Sequence, residues 1–590
     1  MAPSKPLPCS NVFPSPESYV EALLDFATNS DMFQILCGGV HILDFFTTEP
    51  GLFRAALPDE WHPFLLSCDI MRLLDLLVRD DLDDLHFEPG CGPPESFLRY
   101  VRSIRDLSLA REFCPPSEKL PVLPRSVAVG MRPKKIHEVR HFAGYVEQLS
   151  RDVAASCGRE ITHFVDFGSG QNYLGRTLAS EPYNRRVVAV EGRENNVAAA
   201  KGLDRVAGLA VTEKVRRNKK LWSKVLEIRG PGKEHDPAAL EAAVKQVAGA
   251  EAFDFRPVGQ LDWQYKLEDG RGHVQYVSGR LDSGDLADVL AKVEHGHKEE
   301  ERRRELRCMA ISIHSCGNLS HHGIRSLLLN PEIRSVAIVG CCYNLMTEKL
   351  GPPTYKHTYL RPTLQALNGR VVAESEKRDP HGFPMSERFS TYRDKGVRLN
   401  ITARMMACQA PQNWTQEESE TFFTRHFFRA VLQKMFLDRG VVSCIFHGQP
   451  SSRESPSPFD VSTNPVTIGS LRKGCHSSLK AYVRGAVEKL TTSTDYKQYA
   501  DVMREKMANI TDEEIEQYET AYLPRKKELC VIWSLMAFSA TIVESLIATD
   551  RWSFLTEHES SVEQAWVESV FEYRESPRNL VVVGVKREDA

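Results

Sequence analysis

Residues 161–170, Ile-Thr-His-Phe-Val-Asp-Phe-Gly-Ser-Gly, constrain the fold of this chain more than any other stretch. The run is apolar and β-rich, and it ends on Asp166. It turns through Gly168, Ser169 and Gly170, then enters a segment with Leu174 and Leu178 on one helical face. That pattern predicts strand, tight turn and helix, the place where nucleotide-like ligands sit in doubly wound folds. A dinucleotide fingerprint asks for a third glycine at position 173, where helix meets strand. The chain has Tyr173 there, and Gly175 is out of register. No pyrophosphate need be cradled, and an acid just before the first glycine suits a cationic or amine-bearing ligand. The sulfonium and amino group of S-adenosylmethionine fit that description.

A second strand pattern at 186–191 ends on Glu191, about 20 residues past the glycines, where nucleotide folds place the acid that binds ribose hydroxyls. A carboxylate accepts both vicinal hydroxyls at once. A lone strand-end acid facing water is common, but here two independent features land at the spacing the fold requires. Residues 273–281 read as another strand, and Asp282 lies where an adenine-contacting acid would sit. Residues 308–320 and 334–346 repeat the opening logic of buried strand and polar turn, the first followed by a helix. Such alternation implies a parallel sheet, with ligands beyond the carboxyl ends of its strands. Both polar turns, with His314 and Cys316 on one and Cys341, Cys342, Tyr343 and Asn344 on the other, should then face one cleft. Thiolate and imidazole suit zinc. Adjacent cysteines in a strand-end turn lack the usual Cys-x-x-Cys knuckle, so packing, or a weakly polar wall beside the cofactor, is the preferred reading and no metal is expected.

With 590 residues, 42% of them apolar, the chain should hold more than one structural unit, at ~150 residues per domain. Residues 1–130 read as an N-terminal helical region, with a proline-capped helix starting near Ser15. Residues 131–410 read as the first part of an α/β domain with a polar insertion near 213–260, 411–525 as a helical insertion, and 526–590 as a closing helix and the last strands. A net charge of -4 gives no global attraction to nucleic acid, so an RNA partner must meet local basic patches. Lys134 and Lys135 open a helix, and 213–220 carries a basic run; both read first as solvated surface. The 14 cysteines are scattered, and no secretory pattern is seen at the first residues, so cytosol or nucleus is expected. The apolar stretch 529–548 approaches the ~20 residues that span a bilayer. Glu544 within it would cost about 2.5 kcal/mol or more in lipid, which favours a buried core helix over a membrane span.

Six motifs carry a resemblance to the methyltransferase-like 25 family, which includes proteins named for a ribosomal RNA adenine dimethylase domain. They are residues 133–139 (Pro-Lys-Lys-Ile-His-Glu-Val), 165–170, 314–320 (His-Ser-Cys-Gly-Asn-Leu-Ser), 339–348 (Val-Gly-Cys-Cys-Tyr-Asn-Leu-Met-Thr-Glu), 382–386 (Gly-Phe-Pro-Met-Ser) and 576–580 (Ser-Pro-Arg-Asn-Leu). The chain is more distantly similar to eukaryotic tRNA ribose methyltransferases, with Tyr343 and Asn344 in place of two histidines. The resemblance implies a class I S-adenosylmethionine-dependent methyltransferase with a seven-stranded sheet, closed by an antiparallel pair. It implies that Asp166, Gly168, Ser169 and Gly170 approach the methionine part of the cofactor, Glu191 the ribose and Asp282 the adenine edge, with His314 and Cys316 nearby. His314, Tyr343 and Asn344 would be catalytic, and Lys134, Lys135, His137, Cys341, Cys342 and Phe383 would lie on the substrate side. His314 has the side chain suited to removing a proton near neutral pH. RNA is the expected acceptor and DNA is not expected; a protein acceptor and a non-catalytic cofactor-binding scaffold are the alternatives.

Overall fold

The computed structural model describes residues 3–588 except 49–50, 88–91, 117, 213–218, 233–235, 248–262, 266–269, 280, 294–305, 351–377 and 447–460. Most of the basic run at 213–220 and much of the polar insertion near 213–260 therefore lie outside the described residues.

Seven strands form the main sheet: β1 His163–Phe167, β2 Arg186–Glu191, β3 His273–Ser278, β4 Cys308–Cys316, β5 Ile333–Cys341, β6 Val562–Ser569 and β7 Leu580–Lys586. Their order across the sheet is β6-β7-β5-β4-β1-β2-β3. Neighbours run parallel from β5 to β3, whereas β7 is antiparallel to both β5 and β6. The antiparallel closing pair expected from the sequence is therefore present. β1 lies inside the sheet between β4 and β2, with Asp166 in register with Ala189 of β2 and Ile311 of β4. β5 is buried along its whole length, which explains the apolar run from Val336 to Val339: a strand covered on both faces has no polar side to show.

The helices that position the site are α1 Pro16–Asn29, α2 Glu95–Leu107, α3 Pro133–Cys157, α4 Tyr173–Ala179, α5 Glu194–Ala207, α6 Leu319–Leu329, α7 Gln416–Asp438, α8 Lys526–Ser539 and α9 Thr541–Thr556. The α1 start is a reciprocal capping box, in which the Ser15 hydroxyl accepts from the Ser18 amide and the Ser15 amide donates to the Ser18 hydroxyl. α3 begins on Pro133, whose missing N–H costs nothing at the first helical position, and stops at Gly158 in the left-handed conformation (φ 70°).

Successive residues of a strand face opposite sides, so the sheet divides two apolar cores. On one side Phe164, Val187, Ile311 and Val583 pack with Val139, Phe142 and Val146 of α3 and Leu174 and Leu178 of α4. On the other side Val165, Val188, Ile338 and Val582 join a larger core containing Leu23 of α1, Val101 of α2, Val431 of α7 and Ile542 of α9. The helices before residue 130 and those between 411 and 525 thus share one interior.

Asp512–Thr556 is long and apolar enough to cross a membrane by length and composition, and 94% of its most apolar window is buried inside the protein. Burying an aliphatic side chain is worth roughly 1.5–3 kcal/mol. Leu529, Val531, Ile532, Leu535, Val543, Leu546 and Ile547, all fully buried, therefore hold α8 among the surrounding helices and α9 against β6 and β7.

Candidate functional site

The turn after β1 owes its shape to two glycines in the left-handed region, Gly168 (φ 67°) and Gly170 (φ 56°), followed by Asn172 (φ 53°) at the head of α4. Side chains are disfavoured at such angles. The turn is pinned to β2, because the Gly168 and Ser169 amides donate to the Val190 carbonyl at 3.0 and 3.2 Å. A Cβ on Gly168 would lie 2.8 Å from Leu319 of α6. Gly175 performs the packing task expected of position 173: a Cβ there would strike Asn172 Oδ1 and lie 2.9 Å from Val187 of β2. Counting glycines along the sequence missed this, since the two-residue offset becomes intelligible only once α4 lies on β2.

Glu191 is oriented by backbone. Its Oε2 accepts from the Gly170 amide and its Oε1 from the Arg193 amide, each at 2.8 Å. Each oxygen keeps a further lone pair for a hydroxyl. A cleft of about 560 Å³ opens here, at the carboxyl ends of β1 to β4, lined by Gly168, Glu191, Arg193, Gly279, Asp282, Cys316, Leu319 and His322 among others. Asp166 lies outside that lining and is 4% exposed. Burial pushes its carboxyl up to about 8, with the Glu191 charge adding to the rise and Lys135 opposing it. Among the described residues no hydrogen-bond donor reaches this carboxyl, so it gains most from an arriving cation.

A second constellation gathers motifs that are far apart in the chain. The fully buried carboxylate of Glu138 accepts from His314 Nε2 at 2.9 Å, Lys135 Nζ at 2.7 Å and Ser576 Oγ at 2.8 Å, and Lys134 stands 3.8 Å away. Burial alone would raise the Glu138 carboxyl, but the hydrogen bond and charge of His314, with Lys135, bring it down to about 2. A carboxylate only accepts, so His314 donates through Nε2. Its other ring nitrogen, Nδ1, is then the acceptor in the neutral imidazole. The His314 side chain is 40% exposed. Glu138 sits inside a quoted motif without having been singled out; only its burial in α3 reveals that it anchors the group.

The β4 and β5 turns bring three thiols together: Cys316 lies 3.4 Å from both Cys341 and Cys342, and those two are 3.7 Å apart. Cys342 releases its proton most readily of the three, because the Cys316 and Cys341 thiols both donate toward it.

Several expected site residues lie elsewhere. Tyr343 is not at the cleft: it is 3% exposed, and its hydroxyl donates to Glu544 of α9 at 2.6 Å. Glu544 also pairs with Arg111 (2.5 Å) and Arg578 (2.7 Å), a buried charge network that claims the tyrosine. Phe383 is likewise corrected. It is fully buried in the larger core and follows a backbone bond from its own amide to Thr347, so no ring face is left for a substrate. His137 turns away from the cleft, its Nε2 accepting from the Glu572 amide at 3.1 Å. Asn344 is half-buried and accepts from the Cys408 thiol at 3.5 Å. Arg193, Leu319 and His322 line the cleft without having been foreseen, since apolar and cationic residues on the following helices carry no spacing signal.

Residues 134–349 match a methyltransferase domain. The chain is 26% identical over 285 residues to proteins named probable methyltransferase-like protein 25 in Homo sapiens and Mus musculus. The match covers 48% of this chain and 37% and 38% of those proteins, so it spans less than half of their length. No solved structure matches the chain.

Proposed function

We propose that this chain, whose residues 134–349 match a methyltransferase domain and which is similar to probable methyltransferase-like protein 25, transfers a methyl group from S-adenosylmethionine to RNA, in the cytoplasm or nucleus. The observation that carries this reading is the pairing of a buried Asp166 that no donor reaches among the described residues with a Glu191 preset by two backbone donors, on either side of a glycine turn. The group fits. Asp166 would offset the charge of the methionine part, the turn at 168–170 allows close backbone approach, Glu191 would take the ribose hydroxyls and Asp282 the adenine edge. When bound, the cofactor supplies a methyl on a positively charged sulfur, an already activated leaving group. The protein's own part is then mainly alignment and exclusion of water.

His314 would hold the acceptor's proton on Nδ1, while Glu138, buried and ionised, fixes the ring and compensates its charge. Lys134 and Lys135 support the RNA reading. They stand at the positive N-terminal end of α3 beside His314, where helix dipole and ammonium groups act together on phosphate.

The test is incubation of the purified protein with labelled S-adenosylmethionine and extract from cells lacking it, split into RNA and protein fractions. An Asp166→Ala, Glu191→Ala double variant is the control. Label in RNA, absent from the control and falling steeply with salt, is expected. Label confined to the protein fraction would overturn RNA as acceptor. Cofactor binding with no incorporation anywhere would overturn catalysis.

A further inference from the structure

The cofactor reading leaves three thiols unused at the edge of its cleft. Cys316 ends β4 and is in register with Cys341 at the end of β5, and Cys342 follows directly. Adjacent residues of an extended strand point to opposite faces, so neighbouring cysteines ordinarily cannot serve one centre. Here Cys342 adopts a left-handed backbone (φ 47°, ψ 53°), a conformation that costs an L-residue roughly 1–2 kcal/mol, and its sulfur comes to the same side as that of Cys341. This geometry answers the objection that the pair lacks a Cys-x-x-Cys knuckle, since a left-handed turn does what two spacer residues would do.

The spacing is that of a metal face. Sulfurs bound at 2.3 Å around a tetrahedral zinc lie about 3.8 Å apart, and the three separations here are 3.4, 3.4 and 3.7 Å. All three are free thiols. Cys316 is solvent-exposed and lines the cleft, whereas Cys341 is buried. An all-sulfur donor set favours zinc over magnesium, calcium or manganese. Arg578 places positive charge near Cys342, which moderates the negative charge of three thiolates.

We propose that Cys316, Cys341 and Cys342 bind one zinc ion as thiolates, leaving its fourth coordination position open on the side of the cleft that Cys316 lines. Three protein ligands with an open position are the pattern of catalytic rather than structural zinc. Binding releases the thiol protons to solvent, and water fills the fourth position at rest. The ion would thus stand beside the methyl-donor site, an additional role that rests on the methyl-transfer reading only for its purpose and not for its existence.

The test uses the full chain, expressed with zinc and purified under phosphine reductant without chelator, with metal content measured by plasma mass spectrometry. One equivalent of zinc in the parent and near-complete loss in Cys341→Ser, Cys342→Ser is expected. Should the double variant fold poorly, Cys316→Ser, at the exposed corner, is used with a melting curve as control. Replacement of zinc by cobalt should add thiolate charge-transfer absorption and the intense visible bands of a tetrahedral ion. Substoichiometric zinc in the parent, metal content unchanged in the variants, or absent cobalt–thiolate bands would overturn the proposal. Dialysis of labelled S-adenosylmethionine on the same samples keeps the two ideas apart: cofactor retained with no metal sinks the zinc site alone, and metal retained with no cofactor sinks the donor assignment alone.

Discussion

Asp166→Asn should make the protein more stable and less able to bind its cofactor, and the stability gain should grow with pH. The carboxyl is pushed from its ordinary 3.8 to about 8 by burial, so the native state holds a proton that the unfolded chain releases readily. A group raised in this way contributes fully below 3.8, and its contribution is lost as pH climbs toward 8. At pH 7 the loss is 2.303RT times the distance from pH 7 down to 3.8, about 4 kcal/mol at most; at pH 5 it is about 1.6 kcal/mol. Asparagine keeps the shape and never ionises, so it escapes this loss. Urea unfolding without cofactor, at pH 5, 6, 7 and 8 and with matched slopes, should show a midpoint advantage for the variant that widens with pH. Equilibrium dialysis should show weaker cofactor binding. A pH-independent difference, or a variant less stable than the parent at pH 8, would refute the idea that Asp166 is a buried carboxyl that resists ionisation until a cation arrives.

Glu544→Ala leaves Arg111 and Arg578 in the interior without their carboxylate and should cost about 3–5 kcal/mol, read as a large drop in the melting temperature. His314→Ala should lower turnover by about 10²–10⁴ while cofactor affinity barely changes; loss of both together would assign His314 a structural role. Gly175→Ala forces a methyl against Asn172 and Val187 and should cost about 1–3 kcal/mol together with cofactor affinity. Gly158→Ala, which meets nothing within 4 Å, should cost only its backbone strain and leave binding intact.

What the sequence revealed and what it hid divide along physical lines. The Asp166 turn, Glu191 and the strand alternation were legible because each depends on residues within one strand-turn-helix unit, where spacing and local sterics decide the outcome. The terminal antiparallel strand was legible as an unbroken Val-rich run. Tyr343 was misplaced because its partner is Glu544, two hundred residues away, and no local pattern says which acid a buried phenol will meet. Phe383 was misplaced for the same reason, its neighbours belonging to a core assembled from both ends of the chain. The thiol cluster was discounted because a single left-handed residue, Cys342, reverses the direction that strand periodicity assigns. Glu138 was hidden by its own helix: a carboxylate three residues after paired lysines looks like surface until burial and Ser576 show otherwise.

The position of β7 has a consequence for how the protein is made. β5 ends at Cys341, but the strand that pairs with its outer edge, β7, begins only at Leu580 and is therefore made long after it. At roughly 5–20 residues per second, that edge waits on the order of tens of seconds as a row of unsatisfied amides and carbonyls. Such an edge recruits any extended segment that passes. The apolar α9 emerges during the same interval, before β7, against which it packs. Synthesis of this chain therefore carries a period of exposure set by topology.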